Sequence, residues 1–158
     1  MTNTCIPIEI YTDGSSHTQK LIGAWAAIIY YNKTKIIIKQ VETNTSHNRM
    51  EMQAVIEAIK FVDNNYSTNI PIIINSDSQY VVNLVNRKEK LKKNEFKTRK
   101  GNPVKNLDLV IKLIDQIETH KIKFNKIKAH VKDGDVKNRE VDMFVRKLMR
   151  EHNEYETI

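Results

Sequence analysis

Four acidic residues lie at the ends of predicted secondary-structure elements: Asp13, Glu51, Asp77 and Asp142. Asp13 and Asp77 lie just beyond the carboxyl ends of predicted strands, whereas Glu51 and Asp142 fall in the first turns of predicted helices. Side chains that follow neighbouring strands of one α/β sheet meet at the same edge. Like charges packed there repel unless a cation joins them, and hard divalent cations such as Mg²⁺ prefer carboxylate oxygens. The four acids therefore indicate a site for two such ions.

Each acid also has a local structural explanation. Asp13 opens a turn-like sequence in which an aspartate often bonds its own backbone. Glu51 lies three residues after Asn48, which is the spacing of a capping box. Asp77 can cap the helix that follows it, and Asp142 can favour the positive end of its own helix. Taken one at a time, the residues leave both explanations open, and only the complete set favours the cation site.

The strands that position these acids are predicted from apolar alternation and from short apolar runs. Ile6, Ile8 and Ile10 alternate with other residues, and Gly14 is expected to end this first strand. Residues 70–74 form a continuous apolar run typical of a strand buried on both faces. The five predicted strands cover residues 6–11, 23–31, 36–41, 70–74 and 122–129.

The helices are predicted from apolar residues spaced three and four apart. One helix runs from Asn48 to about residue 63, and a second begins at once after Asp77. Asn102 and Pro103 suit the start of a third helix, with the inward residues Leu107, Val110, Ile111, Ile114 and Ile117. A polar loop over residues 130–137 leads to the last helix, whose inward residues are Val141, Phe144, Val145 and Leu148. Right-handed crossovers then give an α/β fold with a mixed sheet flanked by helices.

Length and composition suit one domain over residues 1–158, because the chain is long enough to bury a real core. No run is long enough to span a membrane, and the first residues lack a signal-peptide pattern, so a cytoplasmic location is expected. Cys5 is the only cysteine. Any metal must therefore rely on oxygen or histidine ligands. Residues 151–158 are expected to form a frayed, flexible tail.

Positive charge is concentrated in one segment, residues 87–105. It contains nine basic residues and two acids, whereas the rest of the chain has 17 of each. The chain is therefore a neutral body with one cationic protrusion, and a polyanion is its natural partner. A merely solvated, lysine-rich helix is the simpler alternative, but like charges repel and would not be gathered for stability alone.

The motifs around the acids resemble type 1 ribonuclease H over nearly the whole domain. The matching stretches are Tyr11-Thr12-Asp13-Gly14-Ser15, Asn48-Arg49-Met50-Glu51-Met52, Ser76-Asp77-Ser78-Gln79-Tyr80-Val81, Phe96-Lys97-Thr98, Pro103-Val104-Lys105-Asn106-Leu107-Asp108-Leu109, Lys128-Ala129-His130 and Asn138-Arg139-Glu140-Val141-Asp142. Four acids in family order, each in its own motif, make the resemblance specific.

The resemblance implies a ribonuclease H-like fold with a five-stranded mixed sheet, three strands antiparallel and two parallel. It implies an endonuclease that cuts the RNA strand of RNA–DNA hybrids without strong sequence preference and leaves 5′-phosphate and 3′-hydroxyl ends. Asp13, Glu51, Asp77 and Asp142 would bind two Mg²⁺ ions, with Mn²⁺ as an alternative, and His130 would assist proton transfer or product release. A monomer without an obligate protein partner is expected.

Substrate contacts are implied by the same resemblance. Those expected near the scissile site are Gly14, Ser15, Asn48, Gln79 and Asn138, and Ser46 is expected to help seat a phosphate of the DNA strand. Those expected on the protrusion are Lys90, Lys92, Lys93, Phe96, Lys97, Arg99 and Lys100. The amides of Asn48 and Gln79 can donate to and accept from the 2′-hydroxyls of RNA. Without the resemblance, Gln79 reads as an exposed helix residue and His130 as a loop residue.

Several departures from the family pattern affect the expected binding. The protrusion lacks tryptophans, so hybrid affinity is expected to depend on charge and to fall steeply with salt. His47 stands where a second asparagine is frequent, and the loop after His130 is long and contains Asp133 and Asp135. Two other functions stay open at this point: a non-catalytic hybrid-binding module, and a nuclease of the same fold that acts on DNA.

Overall fold

The computed structural model describes residues 6–67, 69–128 and 136–156, with side chains through His152. His130 lies outside the described residues. The elements are β1 (Ile8–His17), β2 (Ile22–Tyr31), β3 (Thr34–Thr43), α1 (His47–Asn65), β4 (Ile72–Ser76), α2 (Gln79–Asn86), α3 (Lys88–Lys93), α4 (Leu107–Thr119), β5 (Ile122–Lys126) and α5 (Val136–Glu156).

The five strands form one mixed sheet in the order β3-β2-β1-β4-β5. β1, β2 and β3 pair as an antiparallel meander, and β4 and β5 are added parallel to β1. The parallel strands need crossover connections, which α1 and the segment from α2 to α4 supply. The predicted five-stranded mixed sheet flanked by helices is therefore confirmed.

The helices pack on both faces of the sheet, and the alternation of side chains along β1 assigns each residue to one of them. Ile8 and Ile10 belong to the larger core, which α1, α2 and α4 cover. Tyr11 belongs to the smaller core on the opposite face, where Val141 and Val145 of α5 are fully buried. α5 therefore lies across the sheet from the other helices.

The first strand extends beyond Asp13 and Gly14 to His17, so the prediction that Gly14 ends the strand is wrong. Asp13 pairs with Ala26 and Gly14 with Trp25 of β2. The parallel pairing with β4, by contrast, stops at Thr12. Since β2 is longer than β4, its backbone continues to bond β1 after the parallel partner has ended.

The caps of α1 and α2 remove two of the alternative explanations. The Ser46 hydroxyl, and not Asn48, caps α1 by accepting from the Arg49 N–H at 3.4 Å. The Ser78 hydroxyl caps α2 by accepting from the Val81 N–H at 3.2 Å. The capping roles considered for Glu51 and Asp77 are therefore wrong, and neither carboxylate is needed to cap a helix.

The start of α4 differs from the prediction at Asn102 and Pro103. Pro103 forms an antiparallel bridge with Lys97, and Asn106 precedes the helix in a left-handed conformation with φ 60°. The two predicted cap residues instead belong to a turn that folds back on itself. α4 begins four residues after Pro103, and Ile111, expected inside, is 44% exposed.

α5 is longer at both ends than expected. It begins at Val136 and runs to Glu156, so Asp142 lies in its second turn and the expected frayed tail is helical through Glu156. β5 ends at Lys126 instead of residue 129. None of the described helices is both long enough and apolar enough to cross a membrane.

Candidate metal centre and surrounding cleft

Three of the four acids converge at one edge of the sheet. Thr12 pairs with Ser76 in the last step of the β1–β4 ladder, so Asp13 and Asp77 are the next residue on each strand. Glu51 reaches the same place from α1. One carboxylate oxygen of each of Asp13, Glu51 and Asp77 lies within 4.8 Å of the other two. The fold therefore produces the convergence that the sequence predicts for these three.

Gly14 allows α1 to bring Glu51 to this edge. A Cβ atom at Gly14 would lie 2.4 Å from the Met50 carbonyl carbon and 2.6 Å from the Glu51 nitrogen, closer than any side chain tolerates. The Gly14 N–H also donates to Glu51 Oε1 at 3.2 Å. The glycine therefore sets the distance between α1 and β1, and its backbone holds the glutamate in place.

The electrostatics of the cluster are unfavourable without a cation. Burial, followed by the charges of Asp77 and Asp142, raises the pKa of the Asp13 carboxyl from 3.8 to about 8. Burial, followed by Asp13 and Asp77, raises the pKa of Glu51 well above its ordinary value of 4.5. Asp13 is 6% and Glu51 2% exposed. Two buried acids that repel each other reduce stability, so the cluster is poorly suited to a structural role alone.

The donor set fits a hard divalent cation. All three groups offer carboxylate oxygens, which Mg²⁺ and similar ions prefer. Glu51 Oε2 is buried and has no hydrogen-bond partner among the described residues. A cation bound at this point would neutralise the repulsion between the acids, and Glu51 Oε2 could serve as one of its ligands.

Asp142 approaches from the opposite face of the sheet, on α5. It is close enough to Asp13 to bond it and to raise the Asp13 pKa, but it lies outside the group of three acids that meet within 4.8 Å. Arg146, one turn further along α5, forms an ion pair with Asp142, with 3.0 Å between Nε and Oδ2. Asp142 is thus a partly exposed fourth acid beside the buried cluster, balanced by a neighbouring guanidinium.

The acids lie at the floor of a cleft of about 1080 Å³. Four of the predicted contact residues line it, namely Gly14, Ser15, Asn48 and Gln79. Gln79 is exposed and its amide nitrogen donates to Asn83 Oδ1 at 2.7 Å. Asn138 does not line this cleft. It is 7% exposed on α5, and its Oδ1 has no hydrogen-bond partner among the described residues.

Ser46 lines a smaller neighbouring pocket of about 270 Å³. Asn48, Lys105 and Asn106 share that pocket, so the start of α1 and the end of the protrusion meet there. The basic side chain of Lys105 and the polar groups around it suit an anion such as a phosphate.

The cationic protrusion consists of α3 and the turns that follow it to Lys105. Leu91 is buried and Phe96 half-buried, and both pack against the main core. The predicted cationic contacts are all exposed: Lys90, Lys92, Lys93, Lys97, Arg99 and Lys100. Lys92 pairs with Glu118 at 2.5 Å. The protrusion is therefore attached by apolar anchors and presents its charges to solvent.

The base of the protrusion is tied to α1 by an ion pair that the sequence reasoning missed. Arg49 donates to both carboxylate oxygens of Asp108 at 2.9 and 2.8 Å, and this bond lowers the pKa of Asp108 to about 2. Asn106 accepts from Arg49 at 3.5 Å and donates to the Tyr80 hydroxyl at 3.2 Å. No local pattern links residues this far apart in the chain.

A second set of residues escaped the sequence reasoning, although a signal was present. Met143, Arg146, Met149 and Arg150 of α5 line the cleft beside Asp142. Arg146 and Arg150 follow Asp142 in steps of four residues, and Met143, Arg146 and Met149 are three residues apart, which places the set on one side of the helix. Extending the helical face from the predicted acid would have identified them.

The chain matches the family model described as RNase H over residues 7–150. Ribonuclease H of Caldicellulosiruptor saccharolyticus is 35% identical over 146 residues, which cover 91% of this chain and 97% of that protein. Ribonuclease H of Clostridium botulinum is 37% identical over 151 residues, covering 92% and 97%. Ribonuclease H of Ehrlichia chaffeensis is 36% identical over 142 residues, covering 88% and 92%.

Two solved structures share the fold at 20% sequence identity. LC9-RNase H1, described as a type 1 RNase H with the type 2 active-site motif, superposes with a TM-score of 0.75 over 90% of this chain and 72% of its own. The foamy viral protease-reverse transcriptase, solved in complex with dsDNA, superposes with a TM-score of 0.73 over 89% and 92%.

Proposed function

Because this chain belongs to the ribonuclease H family, we propose that it hydrolyses the RNA strand of RNA–DNA hybrids by two-metal-ion catalysis, with little sequence preference. The products would end in a 5′-phosphate and a 3′-hydroxyl. We propose Mg²⁺ as the cofactor, Mn²⁺ as an ion that replaces it, and the cytoplasm as the site of action. We also propose that the chain acts as a single domain and as a monomer.

The observation that carries this proposal is the group formed by Asp13, Glu51 and Asp77. These three carboxylates come from β1, α1 and the end of β4, and their oxygens meet within 4.8 Å at the floor of an open cleft. Burial and mutual repulsion raise the pKa values of Asp13 and Glu51, which makes the group costly to keep unless a cation is bound.

Each acid has a distinct part in the proposed reaction. Asp13, Glu51 and Asp77, whose oxygens meet within 4.8 Å, would hold the more buried ion, and Asp13 would share in holding the outer one. Asp142, which is partly exposed on the cleft wall, would complete the outer one. When bound, the two ions would supply a nucleophilic water and neutralise charge on the scissile phosphate and leaving oxygen. The Gly14 N–H would hold Glu51 in position during this step.

Selection of the RNA strand is assigned to the cleft wall beside the acids. Ser15, Asn48 and Gln79 line the wall and carry hydroxyl or amide groups that can bond a 2′-hydroxyl. Gly14 contributes mainly by allowing α1 to approach, since its N–H already donates to Glu51. A DNA strand in this position would offer no 2′-hydroxyl, and these groups would be left without partners.

The DNA strand is assigned to the other side of the cleft. The pocket at Ser46 would hold one of its phosphates beside Lys105, because the two residues line the same small cavity. The exposed cations of the protrusion would bind phosphates further along. Phe96, half-buried against the core, would anchor the protrusion more than it would stack on a base.

Two residues stay in the proposal for reasons of family resemblance alone. His130, which lies outside the described residues, would assist proton transfer or product release. Asn138 is buried on α5, so any effect it has on the substrate would be transmitted through the helix that carries Asp142.

Cleavage of matched substrates tests the proposed function. The purified protein is incubated with an RNA–DNA hybrid, duplex RNA and duplex DNA of one sequence, with Mg²⁺ or with EDTA, and the product ends are mapped. The proposal predicts cleavage of the hybrid's RNA strand alone, only with Mg²⁺, and a 5′-phosphate on the product. Cleavage of duplex DNA at a similar rate, or of the hybrid in EDTA, would contradict it.

A further inference from the structure

Four side chains of α5 form a wall of the cleft that the proposed catalytic and substrate-binding residues leave unused. We call the set Met143, Arg146, Met149 and Arg150 the α5 ridge. All four line the cleft that contains Asp13, and Met143 is 56% exposed. Met149 is half-buried and packs in part against the smaller core, so Met143 is the exposed apolar side chain of the ridge.

The ridge is also cationic. From Met143 to Arg150, α5 contains three basic residues and no acid. Arg146 is exposed and pairs with Asp142 through Nε, and its guanidinium carries further N–H donors beyond that contact. Arg150 is exposed and forms no ion pair with any side chain that the structure describes. The ridge therefore presents to the cleft one cation, Arg150, that no acid among the described side chains pairs with.

The position of the ridge complements that of the protrusion. α1, α2 and α4 cover one face of the sheet and connect to the protrusion, whereas α5 covers the other face. The carboxylate group lies at the sheet edge between them. A duplex seated over the carboxylates with one flank on the protrusion would have its other flank along α5.

We propose that the α5 ridge binds the sugar–phosphate backbone of the RNA strand next to the scissile phosphate. This inference rests on the proposed function, because it adds a contact to the same substrate. Arg146 and Arg150 would bind successive phosphates, for which the forked guanidinium is well suited. Met143 and Met149 would pack against the ribose faces between them, because unbranched thioether side chains adapt to irregular surfaces.

The RNA strand is preferred over the DNA strand because of what adjoins the ridge. Arg146 contacts Asp142, which itself adjoins Asp13, so the ridge continues directly from the acids that would hold the cleaved strand. The pocket proposed for a DNA phosphate lies at Ser46 and Lys105, at the start of α1 and the end of the protrusion. The two strands would then be bound on opposite sides of the cleft.

A matched pair of charge reversals tests the ridge. Arg150→Glu changes the charge on the cleft wall, and Lys147→Glu makes the same change on the same helix at an exposed residue that does not line the cleft. Hybrid cleavage by wild type and both variants is measured across a range of salt concentrations. We expect Arg150→Glu to raise KM about tenfold with little change in kcat, and to reduce the slope of log affinity against log salt by about 1. Lys147→Glu should change KM less than about twofold.

Equal KM values in the two variants would contradict the proposed binding of RNA by the α5 ridge, because any effect would then reflect a general loss of positive charge. Hybrid cleavage by the wild type shows independently whether the proposed function holds, so the two failures are distinguishable. Neutral methylphosphonates placed singly in the RNA or the DNA strand assign the contact. The KM penalty of Arg150→Glu should disappear with one RNA substitution. Disappearance only with a DNA substitution would overturn the strand assignment.

Discussion

The carboxylate group and the protrusion each gather charges of one sign, but they do so in opposite surroundings. Asp13 and Glu51 are buried, and their pKa values are raised. The stability of the folded protein therefore depends on whether these acids are protonated and on whether a cation is bound. The protrusion's cations are exposed to water, and the protrusion is attached to the body by buried Leu91 and by ion pairs such as Lys92–Glu118. The mutual repulsion of the cations is screened by salt.

This difference assigns different tasks to the two regions. A buried set of acids can fix an ion with little freedom, which suits a reaction that needs exact placement of charge. An exposed set of cations attracts a polyanion from a distance but fixes no register, which suits binding without sequence preference. Substitutions in the first region should therefore change kcat, and substitutions in the second should change KM.

The largest effect is expected from Asp13→Asn. Cleavage should fall by about a thousandfold or more, because the group that adjoins all the other acids is lost. In EDTA above pH 8, the same variant should be more stable than the wild type, because a buried repulsion is removed. Steady-state kinetics and urea unfolding measure both. Asp115→Asn on the exposed surface of α4 serves as the control and should leave both unchanged.

Gly14→Ala separates the steric account of this glycine from a turn-forming one. The added methyl group would overlap the Met50 backbone, so α1 must shift and take Glu51 with it. We expect a loss of stability of about 3 kcal/mol and a large loss of kcat. Gly101→Ala is the comparison, since it meets no atom within 4 Å and has only a φ of +83° to strain it. A cost no greater than that of Gly101→Ala, about 1 kcal/mol, would refute the steric role.

Stability in the absence of divalent cations should fall as pH rises from about 4 to about 8. Over that range the folded state retains a proton on Asp13 that the unfolded chain has lost, because the folded pKa is about 8 and the ordinary value is 3.8. The free energy of unfolding then decreases with pH. The measurement is the slope of the unfolding free energy against pH, and the slope for wild type minus that for Asp13→Asn isolates this contribution. Equal slopes in the two proteins would contradict the raised pKa of Asp13.

Charge reversal on the protrusion should act on binding alone. Lys90→Glu combined with Lys93→Glu should raise KM about tenfold at moderate salt, with kcat nearly unchanged, and the difference should shrink as salt is added. Lys60→Glu with Lys112→Glu reverses the same number of exposed lysines on α1 and α4. A similar change in KM for both pairs of substitutions would contradict a specific role of the protrusion in hybrid binding.

The smallest effect is expected at the Arg49–Asp108 pair that joins α1 to the base of the protrusion. Asp108 is largely exposed, so Arg49→Met should cost no more than about 1 kcal/mol of stability. Its effect should be seen in KM if the pair positions the protrusion. Asp108→Asn tests the same link from the other side. An unchanged KM in both variants would limit the pair to a structural role.

Patterns of apolar spacing predicted the five strands and four acids at element ends, but they left the order of the strands in the sheet open. Local sequence could not reveal that Gly14 continues the strand, because the reason is the backbone of α1 from a distant part of the chain. The same holds for Pro103, whose partner Lys97 turns a plausible helix start into part of a turn. The predicted boundaries of helices and strands were wrong where tertiary contacts determine where an element begins or ends.

The site was predicted more fully than its surroundings. Asp13, Glu51 and Asp77 come together because the strand ladder and α1 bring them there. The link between Arg49 and Asp108 depends on three-dimensional proximity alone. The α5 ridge could have been predicted from the sequence, because Arg146 and Arg150 continue the helical face of Asp142. That these two arginines line the cleft is seen only in the structure.

The central claim is that Asp13, Glu51 and Asp77 form a cation site whose repulsion is relieved by metal. The most direct test is the midpoint of urea unfolding just above pH 8, measured against Mg²⁺ concentration for wild type and Asp13→Asn. The wild-type midpoint should rise with Mg²⁺, because an ion that binds only the folded state stabilises it, and the variant's midpoint should stay nearly constant. Equal rises in both proteins, or no rise in either, would contradict the claim.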